Sequence, residues 1–188
     1  MKFEKEHLQI LIEIKEHLGG SITEEEKIIG LHDTYDHGSQ FLPRWYKEFA
    51  GGMLMFDFFE VGVFRIEVTL EPPHHLKIIP HSLFTKLLGS SYKSGDYVLD
   101  GNYCIQNAAP KDAKKTLDDS TIGRLHELMP FLRIEFTSRE YRLQKEYRLR
   151  DGFNSHTAMS DIECFAEFVK HIHKDVWSMD TNINVQVI

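Results

Sequence analysis

Two histidines and two aspartates lie within six residues, at His32, Asp33, Asp36 and His37. Imidazole nitrogens and carboxylate oxygens are common ligands of zinc and iron, so this stretch is a candidate metal site. On a helix, i,i+4 spacing would place His32 beside Asp36 and Asp33 beside His37. The alternative is a polar connection in which the aspartates and Gly38 form turns. The sequence contains no His-Glu-x-x-His motif that would favour the metal hypothesis.

A second candidate site combines three aromatic side chains with one guanidinium, at Phe41, Arg44, Trp45 and Tyr46. Aromatic residues and Arg are enriched in protein interfaces, so these four could line a pocket or contact a partner. They could equally cover the sheet as part of the core. Residues 32–53 show no clear period, which predicts a long connection with one helical turn around Trp45.

The usual signatures of covalent and phosphate chemistry are absent from the sequence. It has no Gly-x-Ser-x-Gly motif and no Gly-rich loop followed by Lys-Ser or Lys-Thr. Adjacent His74 and His75 would point opposite ways on an extended segment, so at most one could join His81 in a site. We therefore predict no catalytic residue and no cofactor. A non-catalytic binding or interaction module is the leading hypothesis, and a metal-dependent hydrolase built on the His/Asp stretch is the alternative.

The charge balance bears on the class of partner. The net charge of −7 disfavours nucleic acid, whose binders carry a basic excess, and it disfavours anionic membrane surfaces. Charges at Glu13, Lys15 and Glu16 interrupt the apolar stretch near the N-terminus. That stretch therefore predicts neither a signal peptide nor a membrane-spanning helix, and we expect a cytoplasmic protein without membrane insertion.

The elements that would position these residues begin with a helix over residues 2–18, where apolar side chains recur at helical spacing. Two glycines end it. Ser21 and Glu24 then match a capping box, which predicts a second helix ending near Gly30. Residues 54–70 alternate with a period of two, and this pattern predicts a β-hairpin with one polar face.

The middle of the chain mixes short strands and helices. Strands are predicted over residues 76–79 and 97–106, with a short helix or a turn over 83–88 between them. Pro110 opens a helical stretch, and a further helix begins near Asp119.

The C-terminal part contains a second predicted hairpin, over residues 131–149. Ser160 and Glu163 form a capping box that predicts the start of the last helix. Residues 183–188 alternate as a strand does. If they form one, it could pair with the edge of another chain, so we predict a protein partner or self-association as a homodimer.

Hairpins and helices occur in separate blocks along the chain, which is typical of α+β proteins. We predict an antiparallel β-sheet built from hairpins, with helices packed on one face. A length of 188 residues indicates one domain. Its parts would be a helical segment over residues 1–31, a sheet-and-helix core over 54–177 and a strand-like tail over 181–188.

Residues 49–56, 94–105 and 131–149 together resemble an uncharacterised family of bacterial α+β domains of unknown function. In that family a Gly-x-x-x-Gly-like strand start precedes a Gly-Asp…Phe-Asp…Phe strand, a short helix and a terminal hairpin with its helix. This sequence departs from the pattern at Leu99 and Tyr103, where the family has phenylalanines. The resemblance extends over residues 28–176 and implies a single α+β domain. It implies no activity, cofactor or catalytic residue.

Overall fold

Eight antiparallel strands form one sheet in the computed structural model of the protein, which describes residues 5–27, 40–60, 62–82 and 92–180. The strands are Ser21–Lys27 (β1), Gln40–Phe49 (β2), Gly52–Glu60 (β3), Val63–Val68 (β4), Leu76–Pro80 (β5), Tyr103–Gln106 (β6), Arg133–Phe136 (β7) and Tyr141–Glu146 (β8). Their order across the sheet is β1-β2-β3-β4-β8-β7-β5-β6. The first four strands therefore form a meander, which β8 continues.

Helices fill most of the remaining described chain. They are Lys5–Leu18 (α1), Tyr97–Asn102 (α2), Pro110–Thr116 (α3), Asp119–Leu128 (α4) and Ser155–Asp180 (α5), with a 3-10 turn at Leu149–Asp151. None of these described helices is both long enough and apolar enough to cross a membrane.

The hydrophobic core lies between one face of the sheet and the helices. Side chains alternate across a strand, so Phe56 and Phe58 of β3 and Ile66 of β4 point to the same face, where all three are buried. Apolar residues of α1, such as Leu11, and of α5, such as Phe165, are fully buried against them. The predicted α+β class, with an antiparallel sheet and helices on one face, is confirmed.

Tight turns set the register of the meander. The β2–β3 turn consists of Ala50 and Gly51, with φ of 51° and 87°, which are the two positive values that a two-residue primed turn requires. A side chain on the next residue, Gly52, would place its Cβ 2.1 Å from the Thr69 carbonyl oxygen. Only glycine therefore fits where β3 passes beside the end of β4.

The opposite face of the sheet carries paired charges. Asp57 Oδ2 lies 2.9 Å from Arg44 Nη2 and 2.6 Å from Arg65 Nη2. Glu67 Oε1 lies 2.6 Å from Arg142 Nε and 3.3 Å from Arg65 Nη1. The ion pairs thus run across four neighbouring strands. Opposite charges on neighbouring strands of this face thus stabilise the pairing of the strands.

One ion pair lies on the helix side of the sheet. Lys145 on β8 points towards α5, and its Nζ lies 2.5 Å from Asp161 Oδ1. Burial raises the pKa of the Asp161 carboxyl, and the Lys145 ammonium opposes that rise. Removal of either side chain would leave the other as an unpaired, mostly buried charge.

Several sequence predictions agree with these elements. The first helix, both hairpins, the strand after residue 75, the helices beginning at Pro110 and near Asp119, and a long last helix are all present. The predicted short helix or turn over residues 83–88 lies outside the described residues, as does the strand-like tail over 181–188.

Four predictions were wrong. Ser21–Lys27 is strand β1 and not a second helix, because pairing along its full length with β2 outweighs the local capping signal of Ser21 and Glu24. The predicted connection around Trp45 is strand β2. Its pattern is interrupted by Pro43, which the ladder tolerates because, within the described residues, β2 is paired at that point with β1 and not with β3.

The third error concerns residues 97–106, where the predicted strand covers only Tyr103–Gln106. The first six residues form α2, since the Asp96 side chain accepts the Leu99 N–H and caps the helix. The start of the last helix was also misplaced. The helix begins at Ser155, and Asn154, not Ser160, accepts a first-turn N–H, that of Thr157.

Removal of the Asp57 carboxylate tests the ion pairs on the outer face. Asp57→Ala leaves two mostly buried guanidinium groups without this partner, and we expect the free energy of unfolding to fall by about 1–3 kcal/mol. The matched control is Asp151→Ala, which removes the partner of exposed Arg148 at 3.7 Å. We expect that change to cost less than about 0.5 kcal/mol. Urea denaturation of both variants measures the difference, and equal losses would contradict a structural role for Asp57.

Candidate binding cleft

The four predicted aromatic-site residues do not converge. Trp45 is fully buried on the inner face of β2, whereas Arg44 is on the outer face beside Asp57. Tyr46 alternates to the same face as Arg44. For Phe41 the described structure gives the backbone position, opposite Glu26 of β1. Among the three whose side chains the structure describes, Trp45 lines a cleft.

The predicted metal ligands His32, Asp33, Asp36 and His37 lie outside the described residues, so that hypothesis stays a prediction. Within residues 5–27, 40–60, 62–82 and 92–180, no group of three or more His, Cys, Asp or Glu side chains could hold a metal ion.

A cleft of about 440 Å³ lies where α5 crosses the ends of β2 and β3. Its floor is made by Trp45, Leu54, Ile162 and Ala166, which the core holds in place. Leu18, the last residue of α1, and partly buried Phe49 complete the apolar lining. Ala166 follows Ile162 by one helical turn, and its small side chain leaves room over the floor.

Trp45 is positioned by the turn between α1 and β1. Its indole Nε1–H donates to the Gly19 carbonyl oxygen at 2.7 Å, which satisfies a polar group that the core would otherwise leave unpaired. A Cβ on Gly20 would lie 2.4 Å from the Tyr46 carbonyl oxygen and 3.1 Å from Trp45 Nε1. Glycine at this position therefore allows α1 to end directly against β2.

The cleft has a charged rim. Lys47 Nζ donates to the Leu18 carbonyl oxygen at 2.6 Å. Lys170 Nζ lies 2.5 Å from Glu167 Oε1 and 5.3 Å from the centre of the Phe49 ring. The Lys170 charge thus has a carboxylate beside it. The Lys47 charge faces a neutral carbonyl and has no carboxylate partner among the described residues.

This arrangement offers apolar contact under a polar rim, which is the usual composition of a binding pocket. Sequence reasoning found Trp45 but missed Leu18, Lys47 and Lys170, since they come from three separate elements. The signal that could have indicated a cleft is Ala166, the small residue in the apolar stripe of the last helix.

The stretch over residues 94–105 that resembles a family motif has a structural explanation. The Asp96 carboxylate caps α2 at 2.7 Å from the Leu99 nitrogen, and His126 Nε2 lies 2.9 Å from it. The Asp100 carboxylate accepts the backbone N–H groups of Ser94 and Gly95, each at 3.0 Å. The two aspartates thus close the loop that leads into α2.

Comparisons with known proteins support the fold. No family model matches the chain, and no curated protein matches it. A solved structure, the mycobacterial trehalose monomycolate transport factor TtfA, is similar, with a TM-score of 0.59 at 10% sequence identity. The match covers 88% of this chain and 96% of that one. At this identity the likeness shows a shared fold.

Lowering the pH tests how much the Asp96 cap contributes to stability. The hydrogen bond from the Leu99 N–H lowers the pKa of Asp96, and His126 contributes to the same shift. A carboxyl whose pKa is lower when folded adds stability above its unfolded pKa and loses that stability as the pH falls. Asp96→Asn keeps a capping oxygen but does not titrate. We expect the difference in unfolding free energy between wild type and variant to shrink below about pH 4. Denaturation at a series of pH values measures it, and parallel curves would show that the cap does not titrate with folding.

Proposed function

We propose that this protein is a non-catalytic binding module that holds an amphipathic ligand in the cleft beneath α5. The alkyl chain of the ligand lies between Leu18, Phe49 and Ala166, above the buried Trp45, and its anionic head group contacts Lys47. The observation that carries this proposal is an apolar floor directly below a lysine that has no carboxylate partner in the described structure.

The size of the cleft suits a single chain. Its volume of about 440 Å³ falls within the range of roughly 300–1,000 Å³ that small-molecule pockets occupy. Burial of apolar area is the main source of binding free energy at such a site, at about 25 cal/mol per Å². A ligand with one alkyl chain uses that area without requiring the core to open.

The charges favour one side of the rim for the head group. Glu163 also lines the cleft and would repel an anion, so the head group lies towards Lys47 and away from α5. The ammonium of Lys47 has three N–H donors, and one already bonds to the Leu18 oxygen. Two remain for a carboxylate or phosphate oxygen.

The similar solved structure supports a binding role. That protein is named for trehalose monomycolate transport, so this fold occurs in a protein associated with the handling of another molecule. The proposal for the present chain rests on its own cleft, and the likeness adds a precedent for the fold.

Tryptophan fluorescence provides a direct test, because the sequence has two tryptophans, Trp45 and Trp177. In a Trp177→Phe background the remaining signal reports on the cleft floor. We expect brominated dodecanoate to quench Trp45 saturably, since bromine quenches an indole at short range and Trp45 lies directly beneath the cleft. Ala166→Phe fills the cleft and should weaken binding at least about tenfold, which is 1.4 kcal/mol. The matched control is Ala109→Phe, at an exposed position outside the cleft.

A second variant separates the contribution of the Lys47 charge from that of the apolar floor. Lys47→Gln should weaken the binding of dodecanoate but not that of dodecyl maltoside, whose head group is uncharged. Absence of saturable quenching in the folded parent protein would contradict the proposal. Equal loss for both ligands would remove the head-group role of Lys47 and keep the alkyl site.

We also propose that residues 181–188 mediate self-association by pairing with a strand edge of a second copy. Their alternating sequence supports this, and the described sheet ends in β1, a seven-residue strand whose partner within the described residues is β2 alone.

Deletion of residues 181–188 tests the pairing. We expect the full chain to show a concentration-dependent mass above that of a monomer in light scattering, and the truncated chain to remain monomeric. Replacement of the same residues by a Gly/Ser segment of equal length controls for length. An unchanged mass after truncation would remove the hypothesis.

A further inference from the structure

A second cleft, of about 600 Å³, lies on the opposite part of the sheet, where β5, β6, β7 and β8 end beside α2. Its lining is largely apolar and includes Pro80, Val98, Met129 and Pro130. No residue is shared with the lining of the cleft beneath α5. The function proposed above therefore does not account for it.

Large apolar side chains are exposed at this second cleft. Val98, which lines it, is 44% exposed, and the preceding Tyr97 is 91% exposed. Exposed apolar patches that have polar rims mark interaction sites on soluble proteins. Tyr and Met are also enriched in interfaces relative to the rest of protein surfaces.

Hydrogen bonds and a ring contact hold the residues around this cleft in position. The Asn102 side chain donates to the Val98 carbonyl oxygen at 2.9 Å, and Asp96 caps the same helix. Below them, the Phe131 N–H donates to the Tyr103 hydroxyl at 3.1 Å, and the two rings stack with centroids 4.2 Å apart. A preorganised surface loses little conformational entropy on binding.

The wall of the cleft carries one carboxylate without a partner. Glu146, at the end of β8, is exposed, and its side chain forms no hydrogen bond or ion pair with the described residues. An apolar floor next to an uncompensated carboxylate is complementary to an apolar side chain followed by a cation.

We propose that this cleft docks a segment of a partner protein that inserts an aliphatic or aromatic side chain beside Val98 and Pro130. The same segment places a Lys or Arg against Glu146. A protein segment fits better than a small ligand, because the flanking Tyr97 offers contact area outside the cleft that only a longer chain can cover. This site is separate from the alkyl site, so the protein would carry two different ligands.

A displayed library of random twelve-residue peptides tests the proposal on the full chain. Peptides selected on wild type should pair an apolar residue with Lys or Arg. We expect them to lose at least tenfold in affinity on Val98→Asp and to keep it on the matched control Val98→Ile. Selection on Glu146→Lys should replace the basic residue by Asp or Glu. Circular dichroism verifies that each variant is folded. Because Glu146 is exposed, we expect Glu146→Lys to fold as wild type does.

Three outcomes would overturn the proposal. They are selection that yields no enriched peptides, peptides that bind Val98→Asp as tightly as wild type, and peptides whose charge preference does not change on Glu146→Lys. Dodecanoate added to the complex of the protein with a selected peptide should not displace the peptide. Displacement would show that the two clefts are not independent, whereas the quenching of Trp45 by brominated dodecanoate would still test the alkyl site separately.

Discussion

The alternation of side chains along each strand is the constraint on which the structure depends. Because helices cover one face of the sheet, every second residue of a strand must be apolar. The residues between them point to the uncovered face, where polar groups pair with one another or contact water. On the covered face this produces a layer of buried aromatic and aliphatic side chains. On the other face it produces Asp57 and Glu67, each of which is shared between two arginines. The cleft beneath α5 is a place where the covered face is incompletely filled.

Regular alternation and clear helical spacing were enough to predict most of the sheet and the helices. The two hairpins, for example, carry the pattern from Leu54 to Phe58, from Phe64 to Leu70 and again around Leu143. The errors at β1 and β2 have a common cause, since both fall where the local signal competes with a partner distant in sequence. Ser21 and Glu24 favour a helix locally, but β2 lies alongside and pairs with that segment. No local pattern contains the information that β2 will be there.

The candidate sites were harder to predict than the fold. A pair of residues that are adjacent in sequence, such as Arg44 and Trp45, is divided between opposite faces once β2 is recognised as a strand. Conversely, the cleft beneath α5 is assembled from α1, β2, β3 and α5, whose approach depends on the glycine turn after Leu18. The sequence could show that the groups of such a site are present, namely an indole, an ammonium and a small residue in an apolar stripe. Their meeting point depends on tertiary packing.

The Lys145–Asp161 ion pair has a consequence for where the cleft lies. An apolar helix face on an apolar sheet has several nearly equivalent positions along the helix axis, separated by one turn of about 5.4 Å. A charged pair on the two surfaces removes that degeneracy, because in any shifted position both charges would be mostly buried and alone. A shift of one turn would bring Ile162 or Lys170 to the place of Ala166 and fill the space above Trp45. The ion pair therefore fixes the position of α5 along its own axis. A contact outside the cleft thus determines whether the cleft exists.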